Sequence, residues 1–252
     1  MDNHQTEKFY DSIAEKYHWF FSSWDSLMKR QMQELTPLLV KNKVRTILDC
    51  SCGTGLQAIG LVKEGFSVVG SDLSDKMLEV ARANAEKEGI TDIVFIQSDF
   101  REVRSKVDST FDAVISYGNS IPHLKSNSDI LSAFRNIYDC LKNGGLAVFE
   151  IRNYDDMLAK KQRFIPMRIH AEKDGKIVSI LYALDYLDDV VRFNVVYLID
   201  DTTSGNKSME VEVSDYNPIK STVFINSLKE VGFINIEKKE IGPNIQFIAF
   251  RP

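Results

Sequence analysis

The chain has 252 residues, of which 44% are hydrophobic and 27% charged, and its formal net charge is −5. This length and apolar content suffice for one sizeable core, and no linker-like stretch divides the chain, so we predict one domain over residues 1–252. The basic residues are scattered, so the pattern lacks the electrostatic footprint of a nucleic-acid-binding or membrane-binding surface. A small-molecule substrate is therefore expected.

The cysteines and the first residues bear on metal binding and location. Cys50 and Cys52 are one residue apart and Cys140 stands alone, which predicts neither a disulfide framework nor a zinc site. The opening Met-Asp-Asn-His-Gln lacks the basic start and apolar core of a secretion signal, and no apolar stretch reaches membrane-spanning length. We therefore predict a cytoplasmic protein without a metal site. The sequence does not determine whether the protein forms a homo-oligomer.

Helical and strand-like patterns alternate through the first 155 residues. An N-terminal helical segment is predicted over residues 5–40 and precedes the first apolar run. Strands are predicted at 46–50, 67–71, 93–97, 111–116 and 146–151, with helices at 57–64, 74–88 and 128–141, the last stopped by Asn143-Gly-Gly. Such alternation is typical of a parallel sheet with helices on both faces.

The pattern changes after Asn153. Strands without intervening helices are predicted at 164–172, 177–187, 190–200 and 208–215, with turns at Asp174-Gly175 and Ser204-Gly-Asn206. A helix at 222–231 and strands at 234–240 and 245–250 follow. We predict an α/β fold with a Rossmann-like, doubly wound sheet of seven strands. The last strand is antiparallel, and an antiparallel flap over 160–216 interrupts a core formed by 41–155 and 220–252.

The most informative segment is Thr46-Ile-Leu-Asp49-Cys-Ser-Cys-Gly53-Thr-Gly55, which joins a strand to a helix through a glycine-bearing turn. Glycines allow tight backbone angles and close approach of a nucleotide-like ligand. The spacing Gly53-x-Gly55-x-x-Ala58, followed by Asp72, also fits a nicotinamide dinucleotide site. A carboxylate at Asp49 disfavours an anionic pyrophosphate there and favours a cationic ligand such as S-adenosylmethionine.

Together these stretches resemble the first two motifs of class I S-adenosylmethionine-dependent methyltransferases: Leu48 to Gly55, then Val68-Val-Gly-Ser-Asp72-Leu-Ser-Asp-Lys-Met77-Leu. The resemblance implies that Asp72 binds the ribose hydroxyls and that Asp99 contacts the adenine amino group. As alternatives, Asp72 is a helix N-terminal acid and Asp99 a loop cap. The implied cofactor contacts are Tyr10, Asp49, Ser51, Gly53, Gly55, Asp72, Leu73, Met77, Asp99, Phe100 and Tyr117.

Two further stretches are similar to glycine and glycine/sarcosine N-methyltransferases: Gly118-Asn-Ser-Ile-Pro-His-Leu124 and Arg152-Asn-Tyr-Asp155. The similarity implies that Asn119 and Arg152 hold an amino-acid substrate, with the guanidinium on its carboxylate. The alternatives are a turn role for Asn119 and an ion pair of Arg152 with Asp155 or Asp156. Ser51 departs from the pattern, because many relatives have glycine or alanine there.

The aromatic residues near the N-terminus and one at the end of the flap are the remaining candidates. The resemblance implies that Tyr17, or else Tyr10, lies near the methyl-transfer centre, although an amphipathic helix packed on the sheet also explains the aromatics. Tyr216 is expected to line the substrate pocket. His123 follows Pro122 and precedes Leu124, which indicates a packed histidine rather than a general base.

The cofactor motifs and the resemblance to glycine and glycine/sarcosine N-methyltransferases together imply methyl transfer from S-adenosylmethionine to the amine of a small amino acid, of the glycine or sarcosine type. One alternative keeps the chemistry but changes the acceptor to another small amine, hydroxyl or thiol compound. A second is a non-catalytic adenosyl-ligand-binding protein. A third is a nicotinamide-dependent dehydrogenase.

Overall fold

The computed structural model describes residues 3–21, 23–171 and 175–252. Its N-terminal part is helical: α1 spans Asn3–Ile13, a 3₁₀ helix spans Ala14–Phe20, and α2 spans Trp24–Lys41. Helix α2 begins after Ser23, whose Oγ accepts a hydrogen bond from the Ser26 amide and so satisfies a free donor of the first turn. None of the helices among these residues is long and apolar enough to cross a membrane.

The chain then runs through β1 (Thr46–Asp49), α3 (Leu56–Lys63), β2 (Ser67–Asp72), α4 (Asp75–Lys87), β3 (Val94–Gln97), α5 (Val103–Lys106) and β4 (Phe111–Ser116). It continues with α6 (Asn127–Cys140), β5 (Leu141–Arg152) and α7 (Tyr154–Lys160), and it ends with α8 (Ser221–Val231), β10 (Ile234–Ile241) and β11 (Asn244–Phe250). The strands form one seven-stranded sheet in the order β10-β11-β5-β4-β1-β2-β3.

The direction of the strands confirms the predicted fold class. Strands β1 to β5 pair in parallel, and β11 runs antiparallel to β5. The central strands β1 and β4 are almost continuously buried, as expected for a sheet covered by helices on both faces. Parallel pairing brings the carboxyl ends of β1, β2, β4 and β5 to one edge, where the predicted motifs lie.

Two local predictions were wrong, and the short helices α5 and α7 had not been predicted. Strand β5 begins at Leu141 rather than at residue 146, because Leu141 already pairs with Phe111 before an irregularity in the register. Helix α6 therefore ends at Cys140, and Asn143-Gly-Gly lies within the strand rather than stopping the helix. Helix α7 was not predicted, and it begins where the Asn153 side chain accepts a hydrogen bond from the Asp156 amide.

The second sheet is the flap, with strands β6 (Phe164–Ala171), β7 (Lys176–Tyr186), β8 (Val191–Asp201) and β9 (Lys207–Tyr216). All three pairings are antiparallel and follow chain order, as predicted. The predicted end of its first strand at Glu172 and the predicted turn residue Asp174 lie outside the described residues.

The N-terminal segment joins the flap to the main sheet. Phe9 and Ile13 of α1 pack with Val178 and Val195 of the flap and with Met77 of α4 in one buried cluster. Burial of these apolar side chains stabilises the contact by roughly 1.5–3 kcal/mol for each large residue. The flap and the N-terminal helices thus cover the edge of the main sheet at which the strands β1, β2, β4 and β5 end.

Candidate active site

The turn after β1 is built for close approach of a ligand. Gly53 has a φ of +52°, and the space around a Cβ built on it contains no protein atom within 4 Å. Gly55 has a φ of +88° and directly precedes α3, and a Cβ there would lie 3.0 Å from Ile59 and 3.2 Å from Ala81. Gly55 is thus needed for packing, whereas Gly53 leaves open space in the cavity that it lines.

Asp49 lies beneath this turn rather than in the cavity. Its side chain is completely buried, Oδ1 accepts a weak bond from the Ser51 amide at 3.4 Å, and Oδ2 has no hydrogen-bond partner among the described residues. Burial raises the pKa of Asp49 to about 7, and the neighbouring Asp72 adds to the effect. A bound cation would favour the ionised carboxylate, so this environment fits the ammonium and sulfonium of S-adenosylmethionine.

Asp72, the last residue of β2, lines the cavity and holds both the glycine turn and the start of α4. Its Oδ2 accepts a hydrogen bond from the Gly53 amide at 2.8 Å, and its Oδ1 accepts one from the Ser74 amide at 3.0 Å. Burial raises the pKa of Asp72, while these bonds oppose the rise. Each carboxylate oxygen keeps acceptor capacity for a ribose hydroxyl.

Asp99 follows β3, and its hydrogen bonds agree only in part with the predicted contact with adenine. Asp99 lines the cavity, but its carboxylate accepts hydrogen bonds from the Arg101 amide at 2.7 Å and from the Arg101 guanidinium at 2.8 and 3.2 Å. These bonds correspond to the alternative in which Asp99 caps the loop. A contact with adenine would have to use the lone pairs of the carboxylate that Arg101 does not occupy. Leu73, Met77 and Phe100 line the same cavity and supply apolar surface for a ring.

Replacing Gly53 by alanine should weaken ligand binding. A non-glycine residue at positive φ costs about 1–2 kcal/mol, and the added methyl would occupy ligand space. We expect S-adenosylhomocysteine to bind at least about tenfold more weakly, by calorimetric titration. Gly65→Ala is the matched control, because Gly65 also has a positive φ, +91°, with no atom within 4 Å, but lies outside the cavity. Equal affinity in both variants would contradict the ligand-cradle role.

A second cavity of about 550 Å³ adjoins the first, and we name it the acceptor cavity. The two cavities share the five lining residues Tyr10, Tyr17, Phe21, Leu27 and Gly118. Asn119, Arg152 and Tyr216 line the acceptor cavity, while Ser51 and Tyr117 line the first. The structure therefore brings most of the predicted cofactor residues next to the predicted substrate residues. The exceptions are Asp49, which is buried, and Gly55, which serves packing.

Asn119 holds the end of β5 in place. Asn119 has a φ of +69°, a left-handed conformation that agrees with the alternative prediction of a turn residue. Its Oδ1 accepts a hydrogen bond from the Arg152 amide at 2.9 Å, and its Nδ2 donates one to the Tyr154 hydroxyl at 3.0 Å. Asn119 thus fixes the backbone from which the Arg152 side chain extends, and it has capacity for one more contact from each polar atom.

The Arg152 guanidinium lies against aromatic rings of the flap. Its central carbon is 5.1 Å from the ring centre of Tyr182 and 5.3 Å from that of Phe193. The alternative prediction, an ion pair of Arg152 with Asp155 or Asp156, is not observed in the described part of the chain. Asp155 pairs with Lys238, and Asp156 pairs with Lys160. The cation–π contacts orient a guanidinium whose charge is available to a bound anion.

Three further side chains meet where the two cavities join. The Tyr10 hydroxyl is hydrogen-bonded to His123 Nε2 at 2.8 Å, and the His123 ring packs against Tyr216 at 4.2 Å between centres. Burial, with a smaller effect of Lys125, lowers the pKa of His123 to about 3. His123 is therefore a packed, neutral imidazole that positions Tyr10, and Tyr17 lies near them in both cavities.

Acidification should reveal the buried state of His123. Between its ordinary pKa of about 6.5 and its folded pKa of about 3, the unfolded chain binds a proton that the folded chain does not. The contribution of His123 to stability is therefore lost as the pH falls through this window, by up to about 2 kcal/mol at pH 5. Burial raises the pKa values of Asp49 and Glu150 to about 7, and these two groups act in the opposite direction, so the change in stability is compared between variants. In urea unfolding at pH 7.5 and 5.0, His123→Asn should gain up to this amount relative to the parent on acidification. His4→Asn, at an exposed position, should change as the parent does; an equal change in all three would refute the assignment.

Several lining residues were missed from the sequence. They are Arg30 of α2, Met167, Tyr182 and Phe193 of the flap, and Asn244 of β11. These residues lie in ordinary amphipathic or alternating patterns, so no local signal distinguishes them. Only the folding of the flap and α2 over the strand ends brings them to the cavity.

Comparison with known proteins agrees with this geometry. Residues 47–145 match the family described as a methyltransferase domain. A glycine N-methyltransferase from Oryctolagus cuniculus is 39% identical over 137 residues, covering 50% of this chain and 46% of its own. A glycine/sarcosine N-methyltransferase from Halorhodospira halochloris is 32% identical over 156 residues, covering 62% and 58%.

Solved structures are similar over nearly the whole chain, including the flap. An amino pentose methyltransferase from Micromonospora echinaspora, solved with S-adenosylmethionine bound, superposes with a TM-score of 0.75 at 18% identity, covering 94% of this chain and 95% of its own. A structure of an S-adenosylmethionine-dependent methyltransferase from Clostridium acetobutylicum gives a TM-score of 0.73 at 18% identity, covering 95% and 96%.

The fold is therefore that of the class I S-adenosylmethionine-dependent methyltransferases, as the sequence motifs predicted. The chain spans about half the length of the curated relatives that it matches. The matched family model ends at residue 145, before the flap begins, so it does not indicate which acceptor the protein uses.

Proposed function

We propose that this protein transfers a methyl group from S-adenosylmethionine to the amine of a small amino acid whose carboxylate binds Arg152. The observation that carries the proposal is the contact between two cavities: one lined by the glycine turn and Asp72, the other by Arg152. The names of the relatives make glycine and sarcosine the first acceptors to test.

The cofactor cavity suits S-adenosylmethionine better than a dinucleotide. Two carboxylates, Asp49 and Asp72, lie at the turn, and Gly53 leaves room for a ligand. Negative charge at this place would repel a pyrophosphate and stabilise a ligand with ammonium and sulfonium groups. When bound, S-adenosylmethionine supplies a methyl group on a positively charged sulfur.

The protein's own contribution is mainly orientation. A guanidinium binds a carboxylate through two parallel hydrogen bonds and so fixes the direction of the substrate amine. The amine needs no strong base if it enters uncharged, and burial lowers the pKa of an ammonium and favours that form. Holding both reactants in line can then supply several kcal/mol of the acceleration.

A product assay tests the proposal directly. The purified protein is incubated with S-adenosylmethionine and a panel of amino acids, other small amines, phenols and thiols, and S-adenosylhomocysteine and methylated products are read by mass spectrometry. We expect N-methylated amino acids. Turnover restricted to phenols, thiols or amines without a carboxylate would keep the cofactor assignment and reject the amino-acid site. Binding of S-adenosylhomocysteine without turnover would favour the non-catalytic alternative.

A further inference from the structure

The acceptor cavity is larger than glycine requires. Its volume is about 550 Å³, against about 160 Å³ for the adjoining first cavity, so the methyl-bearing end of a bound cofactor would take part of this space. Glycine has only five non-hydrogen atoms, and it would leave much of the remainder to solvent. An acceptor with a substantial body besides its amine and carboxylate would use the space.

The walls of the acceptor cavity are aromatic on two sides. Tyr17, Phe20 and Phe21 come from the N-terminal segment, and Tyr182, Phe193 and Tyr216 come from the flap. Phe193 is 4.7 Å from Tyr216 and 5.4 Å from Tyr182 between ring centres, so the flap side is a continuous aromatic surface. Such surfaces gain most from burying a flat or bulky apolar group.

The charges in the acceptor cavity are all of one sign. Among its described lining residues the charged side chains are Arg30 and Arg152, and no carboxylate is present. Arg152 lies beside the Tyr182 and Phe193 rings, so an anionic group bound to it would hold the neighbouring part of the ligand near the aromatic wall. The cavity thus favours an acceptor that joins one carboxylate to one apolar body.

We propose that the preferred acceptor is an amino acid with an aromatic or large aliphatic side chain, rather than glycine or sarcosine. This inference rests on the proposed amino-acid N-methyltransferase function and narrows it. The carboxylate binds Arg152, the side chain packs between the N-terminal and flap aromatics, and the amine faces the junction with the cofactor cavity.

A series of acceptors of increasing apolar size tests the inference. The values of kcat/KM are measured for glycine, sarcosine, alanine, leucine and phenylalanine with S-adenosylmethionine in excess. We expect an increase of roughly fourfold for each buried methylene, so that leucine or phenylalanine exceeds glycine by at least tenfold. Glycine or sarcosine as the best acceptor would overturn the inference while keeping the proposed function. No turnover of any amino acid, with S-adenosylhomocysteine binding intact, would reject both.

A variant that fills the cavity gives an independent readout. Met167 lines the acceptor cavity from the edge strand β6 of the flap, where a larger side chain can project into the space. Met167→Trp should lower kcat/KM for phenylalanine at least tenfold more than it lowers kcat/KM for glycine. Met209→Trp is the matched control, because Met209 is exposed on the flap and lies outside the cavity. Equal loss for both acceptors in Met167→Trp would contradict the inference.

Discussion

Replacing Arg152 by glutamine should lower kcat/KM for the best amino-acid acceptor by at least about 30-fold, since losing one partner of a close charge pair costs about 2–5 kcal/mol. Arg152 is the guanidinium that the flap aromatics orient inside the acceptor cavity. Steady-state kinetics with acceptor varied and S-adenosylmethionine saturating measures the effect. Arg152→Lys should recover only part of the loss, because an ammonium lacks the two parallel donors.

Two measurements separate this role from a general loss of structure. Affinity for S-adenosylhomocysteine should stay within twofold in Arg152→Gln, since the residue lines the acceptor cavity and not the cofactor cavity. Arg192→Gln is the matched control, because Arg192 lies on the flap and pairs with Asp215 at 2.8 Å outside the acceptor cavity. An unchanged acceptor KM and kcat in Arg152→Gln would exclude carboxylate binding at this residue.

Replacing Asp72 by alanine should weaken the binding of S-adenosylhomocysteine by roughly 1–3 kcal/mol, or about 5- to 150-fold, through loss of hydrogen bonds to a charged group. The carboxylate also accepts the Gly53 and Ser74 amides, so the variant loosens the turn as well. Calorimetric titration gives the affinity. Asp72→Asn keeps the shape and one acceptor, so its loss should be intermediate.

The control for Asp72 is its neighbour in the first turn of α4. Asp75 carries the same charge near the same helix N-terminus, but its side chain is 58% exposed and it lies outside the cavity. Asp75→Ala should therefore retain affinity within about twofold. If Asp72→Ala also retains it, Asp72 is only a helix N-terminal acid and the ribose role is wrong.

The arrangement around His123 shows how a local prediction gains meaning from tertiary contacts. The apolar neighbours Pro122 and Leu124 predicted a packed histidine, and the half-buried ring indeed packs against Tyr10 and Tyr216. The sequence could not indicate that the partner of its ring is Tyr10, which lies 113 residues away. That contact places the Tyr10 hydroxyl where the cofactor and acceptor cavities join.

The sequence by itself determined the parts of this protein whose signals are local. Alternating apolar runs define the strands of both sheets, and the glycine turn with its flanking carboxylates defines the cofactor side, because turn geometry and ligand charge depend on a few adjacent residues. The sequence did not predict helix α7 or the early start of β5. The start of β5 is set by the pairing of Leu141 with Phe111, which lies on another strand.

Only the tertiary structure decided the acceptor side. Arg152 stands at the end of a strand by its position in the sequence, but Tyr182 and Phe193, which orient it, come from strands of another sheet. Asp99 likewise matched a cofactor position, yet its neighbour Arg101 takes up much of its hydrogen-bonding capacity. Cavity size, charge and aromatic walls arise from packing between distant segments, and such contacts have no periodic pattern in the chain.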